Sequence, residues 1–266
     1  MATGRFSMGE AIRFGWAKMA DSLGFFIALL IVANYLILIF PGIIISGLTK
    51  EFTEFTLVIF LISILISLVL IIIMMMGFVR ITLKSADGLK GKFSDLFSCY
   101  PLFFKCLFGS ILYLAGTLLL IIPGIIWAIS FQFYDYFYGY KFSGILNGLI
   151  ALGLILLSIL GIIWAIRFQF WPYFIIDKGA GPIEALKRSL TITKGSTWNL
   201  SVFALLLGAI NLLGILSFWA GFLTIPITKV AVAFVYRRLQ TLTEDAQIPE
   251  LAQAPEVTQT PEVMTF

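Results

Sequence analysis

Residues 162–195 read IIWAIRFQFWPYFIIDKGAGPIEALKRSLTITKG, and this stretch decides the fold class. An apolar run ends in Arg167 among Trp164, Phe168, Phe170, Trp171 and Tyr173. Rings and a cation at the end of an apolar run mark a membrane–water interface, where both can reach headgroups. The run breaks at Pro172, and after Gly179-Ala180-Gly181-Pro182 an amphipathic helix begins. Pro182 suits a first helical turn, where its missing N–H has no partner to lose. Glu184 favours the positive N-terminal end of that helix, and Lys194-Gly195 suits its C-terminus. Ile183, Leu186 and Leu190 form its apolar stripe, while Lys187, Arg188 and Lys194 can meet anionic phosphate. The membrane ends here and a basic interfacial helix starts.

Composition points the same way. Of 266 residues, 60% are hydrophobic and 12% charged, with a mean hydropathy of +1.03. Soluble domains carry roughly 25% charge. The apolar runs are continuous over helix-length stretches rather than alternating in segments of about ten residues, which excludes a β-barrel. The expected fold is all-α, a polytopic membrane protein with six transmembrane helices as three hairpins, each preceded by an amphipathic interfacial helix. The spans are placed at about 23–48, 56–79, 106–133, 144–170, 198–216 and 221–236, and the interfacial helices at about 6–20, 93–104 and 182–194.

In the first interfacial helix, Ser7 with Glu10 fits a capping box, and Met8, Ile12, Trp16 and Met19 share one face. Arg13 and Lys18 are left for headgroups. The first 21 residues are too polar, and the run after them too long, for a cleaved signal peptide, so the first span is expected to stay in the membrane. Pro41-Gly42 should kink it. The loop YDYFYGY at 134–140 reads as an aromatic belt, and Gly144 with Gly148 allows close helix approach. The last span carries Pro226 and Lys229, the latter expected to snorkel to the inner surface. The segment 239–266 is acidic and repeats proline at 249, 255 and 261, so it reads as a disordered cytoplasmic tail, with a minor reading as a partner-binding arm.

Of the 18 Lys and Arg, all but Lys50, Lys141 and Lys229 fall in segments on one side of these spans. The positive-inside rule then places both termini in the cytoplasm. The net charge of +4 follows from that bias and does not indicate nucleic acid. Internal similarity accompanies the spans: IIWAISFQF at 125–133 matches IIWAIRFQF at 162–170 in all but one position, and local duplication explains it.

Several chemistries are excluded or disfavoured. With no histidine, imidazole bases, His-metal sites and Ser-His-Asp triads are absent. Cys99 and Cys106 form neither a disulfide framework nor a metal spacing and read as packing residues. No metal, cofactor or catalytic residue is expected. Asp177 and Glu184 flank the Gly-Pro break and are assigned to structural ion pairs near Arg167, Lys187 and Arg188, tying the helix to the fourth span. Asn34, Asn147 and Asn211 are the asparagines placed at mid-membrane depth. They read first as interhelical hydrogen-bond formers, and as path-lining groups if a path exists.

Arg167, Pro172-Tyr173, Asp177, the run Glu184-Ala185-Leu186-Lys187-Arg188-Ser189, Lys194-Gly195, Pro226 and Tyr236 form a pattern over roughly 120–240. It resembles a bacterial multi-pass family that includes the membrane domain of glycerophosphoryl diester phosphodiesterases and related uncharacterised integral membrane proteins. The resemblance implies about six membrane helices in a bacterial inner membrane and supplies no agreed activity. No hydrolase segment follows within the sequence, so the phosphodiesterase activity is not carried over. The expectation is a non-enzymatic component that organises inner-leaflet lipid or supports partner membrane proteins, in contact with anionic headgroups. The alternative is a transporter or lipid translocator with a path between hairpins.

Overall fold

A computed structural model describes residues 6–35, 54–138, 145–217 and 221–252. The expectations resting on Pro41-Gly42, Lys50, Lys141, Gly144 and residues 253–266 lie outside the described residues, as do the side chains of Asn34, Asn147 and the 134–140 belt.

Among the described residues every regular element is helical. In chain order these are α1 (Met8–Asp21), α2 (Leu23–Asn34), α3 (Glu54–Ala86), two 3-10 turns (Phe93–Leu96 and Tyr100–Leu102), α4 (Phe103–Tyr138), α5 (Ile145–Phe168), α6 (Trp171–Lys178), α7 (Pro182–Thr193), α8 (Thr197–Leu216) and α9 (Gly221–Ala252). Among the described residues four stretches are long and apolar enough to cross a membrane: Val58–Ala86, Phe93–Trp127, Gly148–Lys178 and Thr197–Leu216. Met8–Asp21 and Leu23–Val32, bent by 87°, would make a fifth if they form one broken span.

Helix α9 gathers the others, with α1, α8 and α3 packed along it. The Ser7 hydroxyl caps α1 by accepting from Glu10 N–H at 3.3 Å, which supplies one half of the expected capping box. The expected face of α1 needs correction. Ala11, Gly15 and Met19 are buried and Met8 and Ile12 pack beside them, whereas Trp16 turns outward, 57% exposed. The cause is Gly15: a Cβ there would lie 2.5 Å from the Ile227 carbonyl oxygen. That close approach seats the stripe on α9, so protein, rather than lipid, covers it.

The second interfacial helix, expected at 93–104, is replaced by the two 3-10 turns. Here the Leu96 backbone lies against Gly77 of α3, where a Cβ would collide with it. Asp95, buried, accepts from Lys92 N–H at 2.8 Å and pairs with Lys84 Nζ at 2.6 Å. A segment pulled this tightly onto α3 has no room for a helical cylinder of its own.

Helices α4 and α5 run antiparallel. Gly116 faces Trp164, Gly161 faces Ile121 and Gly124 faces Ser158, so positions that ascend on one helix descend on the other. The expected glycine contact at Gly148 is not among them, since nothing lies within 4 Å of a Cβ there. Helices α8 and α9 are likewise antiparallel, with Gly214 against Thr224 and Asn211 bonded to Thr228.

The boundary expected at 239 also needs correction. Helix α9 continues to Ala252 instead of yielding to disorder at 239. Leu239 and Gln240 are buried and extend the face carrying Tyr236, and the Gln240 amide donates to Glu244 at 3.1 Å one turn on. Burial of a helical stripe outweighs the polar composition of the following turns.

Candidate functional site: a charged lock and an apolar cavity

Helix α5 stops at Phe168 and α6 starts at Trp171, so the chain turns with backbone groups unpaired inside the protein. Such groups cost free energy unless bonded. Two hydroxyls from α7 reach them. Ser189 Oγ accepts from Phe170 N–H at 3.2 Å and donates to the Arg167 carbonyl at 2.8 Å; Thr193 Oγ1 lies 3.3 Å from the same carbonyl. The protein-facing side of α7 is therefore Ala185, Ser189, Ile192 and Thr193. Of the expected apolar stripe, Leu186 is partly buried but Ile183 is 61% exposed.

The break sends α6 into the core, where Trp171 through Ile176 are all buried. Gly179 ends it at φ +65°, a left-handed conformation that glycine adopts without Cβ strain, and its carbonyl accepts from Lys105 Nζ at 2.6 Å. This delivers Asp177 to the end of α3 and the middle of α9. There Arg237 forks between two carboxylates. Its Nη1 and Nη2 donate to Asp177 at 2.7 and 2.9 Å, while Nε and Nη2 donate to Asp87 at 2.9 and 2.8 Å. The Tyr236 hydroxyl adds a bond to Asp177 at 3.2 Å. Burial alone would depress the guanidinium's pKa, but its bonds to Asp177 and Asp87 prevail and hold it above its ordinary value. A planar fork fits two carboxylates in a way an ammonium cannot.

The predicted anchor and ion-pair residues separate into distinct settings. Asp177 belongs to this lock, whereas Glu184 pairs with Arg188 on its own helix at 2.6 Å and accepts from Gly181 N–H at 3.4 Å. The Gly181 N–H and then Arg188 hold the Glu184 carboxyl below the usual carboxylate range. The two carboxylates thus do not face one another. Lys187, Arg188 and Lys194 are exposed on the outer side of α7, and Arg13 is exposed on α1. Lys18 lies 5.8 Å from the Phe14 ring centre. Arg167 is half-buried, with its Nε buried and unbonded among the described residues. Asn211 Nδ2 donates to Thr228 across α8 and α9 at 3.2 Å, the interhelical role expected of it.

Beside the lock lies a cavity of about 420 Å³ between α2, α3, α6 and α9. Its wall includes Leu30, Met75, Phe78 and Tyr173, with Gln169 and Lys229 as its polar members of note, and Asn211 is not part of it. Tyr173 joins cavity to lock, because its ring centre lies 5.2 Å from that of Tyr236. Sequence reasoning missed Arg237 as the shared partner of Asp177 and Asp87, since separations of 60 and 150 residues carry no spacing signal. Lys229 did carry one: it is an ionisable residue within an apolar span.

Residues 140–262 match a family model described as a domain of unknown function (DUF7847). The match takes in α5 to α9, hence the break, α7 and the Arg237 end of the lock. No curated protein and no solved structure matches the chain.

Proposed function

We propose that the chain is a non-enzymatic integral membrane protein that organises inner-leaflet lipid at its basic face or supports partner membrane proteins there. The division of α7 carries this reading: Ala185, Ser189, Ile192 and Thr193 face the protein, while Ile183, Lys187, Arg188 and Lys194 face outward. An outward face that mixes an apolar anchor with cations suits the headgroup boundary. In this reading the membrane domain has six spans as three hairpins, with both termini cytoplasmic and the chain in a bacterial inner membrane. The antiparallel pairs α4–α5 and α8–α9 support the hairpins. The lock supports the topology, because Asp87, Asp177 and Arg237 all come from segments assigned to the inside. The relationship to the membrane domain of glycerophosphoryl diester phosphodiesterases is part of the same proposal.

Replacing Lys187, Arg188 and Lys194 together by Gln tests it. Retention of phosphatidylglycerol relative to phosphatidylcholine should fall by roughly fivefold for each basic residue engaged. Unchanged retention of the anionic lipid would overturn the headgroup role. The runner-up, a lipid translocator, is favoured by one observation, the cavity between α2, α3, α6 and α9. Scrambling of a fluorescent phospholipid in proteoliposomes would promote it over the static role.

A further inference from the structure

Lys229 stands apart from the other basic residues. It enters the cavity wall from α9, eight residues before Arg237, so about 12 Å along the helix from the lock. No carboxylate or other acceptor pairs with it among the described residues. Its side chain is exposed at the cavity's edge, yet it stands within an apolar span, where an ionisable residue without a counter-charge marks a site by default. Gln169, on the turn between α5 and α6, offers a second polar group to the same space, and its amide also has no hydrogen-bond partner among the described residues. The remaining wall is dominated by aliphatic, thioether and aromatic side chains.

Such a cavity asks for a ligand with one anionic end and one apolar body. Its size narrows the class further. Pockets for single small ligands span about 300–1,000 Å³. At about 420 Å³ the cavity sits low in that range, which suits one hydrocarbon chain rather than the two of a phospholipid.

We propose that the cavity between α2, α3, α6 and α9 binds a single-chain anionic amphiphile, a long-chain carboxylate, with its acid group at Lys229 and Gln169 and its chain along Met75, Phe78 and Leu30. This deepens the lipid reading above but does not need the headgroup role of α7. The bound carboxylate supplies the counter-charge that the protein withholds. The walls supply specificity for a chain, and Lys229 supplies specificity for charge. Because Tyr173 lines the cavity and packs against Tyr236, an occupant also touches the aromatic wall behind the Asp177–Arg237 lock.

The test uses the full chain purified in a neutral detergent, titrated with oleate and, separately, with oleyl alcohol, which has the same chain and no charge. Oleate should bind with one-to-one stoichiometry and roughly tenfold tighter than the alcohol, the worth of a hydrogen bond to a charged group. Lys229→Met, which keeps the stem and removes the charge, should erase that preference while leaving the alcohol unaffected. Met75→Trp, which fills the chain site, should weaken both, with helicity by circular dichroism confirming that the variant folds. Equal affinity for the two ligands in the unsubstituted protein, or an undiminished preference in Lys229→Met, overturns the proposal. The Lys187, Arg188 and Lys194 substitution should leave oleate binding intact, so failure of the headgroup role and failure of the cavity site give different results.

Discussion

Helices α5 and α6 are separated by two residues and are built on opposite terms. In the stretch Gly148–Lys178, the most apolar window is only 6% buried, so its Leu and Ile side chains face outward. In α6 all residues from Trp171 to Ile176 are buried, and the segment carries a proline, a tyrosine and an adjoining aspartate. Apolar side chains on α5 therefore suit a hydrocarbon surrounding, which accepts them at no cost. The mixed residues of α6 solve a problem of position: they bring Asp177 to Arg237 and Tyr173 to the cavity. Across this break the most apolar segment lies at the surface, and the segment with aromatic and polar side chains lies in the core.

If α6 is held by the lock, breaking the lock should have the largest effect. Arg237→Ala leaves Asp87 and Asp177 without their cation. Loss of one partner of a buried pair costs about 3–5 kcal/mol, and the partial exposure of these groups places the expected loss near the lower end. Arg237→Lys should fall between Ala and the unsubstituted chain, because the charge remains and the fork does not. Thermal midpoints in detergent, followed by fluorescence-detected size exclusion, measure both. An unshifted midpoint for Arg237→Ala would mean that packing alone positions α6.

The contrast also explains what could be read in advance. Helices long and apolar enough to cross a membrane, the break near Pro172 and the amphipathic nature of α7 were all legible, because each is written in a local run of residue types. What escaped depends on pairs distant in sequence. The seating of α1 on α9 follows from a backbone approach at Gly15, and the collapse of 93–102 into short turns follows from one at Gly77. A glycine announces permission for close contact but never names its partner, and at Gly148, singled out with Gly144, a Cβ would meet nothing within 4 Å among the described residues. The face of α7 was misjudged for a related reason. The expected stripe of Ile183, Leu186 and Leu190 left out Ser189, yet Ser189 faces inward because the end of α5 leaves Phe170 N–H and the Arg167 carbonyl to be bonded.

That reading of Ser189 leads to the second expected effect. Ser189→Ala removes the acceptor of a buried backbone N–H, and an unsatisfied buried donor costs about 1–3 kcal/mol. Thr191→Ala, on the exposed side of the same helix, removes only a bond to the Lys187 carbonyl one turn back and should be near neutral. The same thermal assay compares the two. Equal effects from positions 189 and 191 would show that α7 is held by its stripe and not by its hydroxyls, and the sharp difference between the chain before and after the break would lose its cause.

The smallest effect concerns the outward face of α7, where the lock's chemistry recurs without burial. Glu184 and Arg188 form an ion pair much like Asp177 and Arg237, but their side chains are about half exposed. Glu184 has its carboxyl pKa lowered in the fold, chiefly by the Gly181 N–H and then by Arg188. A carboxylate with a depressed folded pKa stabilises the fold above its unfolded pKa and stops doing so as pH falls through the folded value. Acidification from pH 6 to below about 4, the range where a free glutamate takes up its proton, should thus erode this contribution. Glu184→Gln should shrink the acid-induced drop in thermal midpoint slightly, and high salt should shrink it in the unsubstituted chain as well, because exposed pairs are screened. The Asp177–Arg237 pair, further from water, should resist the same salt. If salt weakened both pairs equally, the lock would be as open to solvent as the face of α7, and burial would no longer distinguish an ion pair that sets the fold from one that only decorates it.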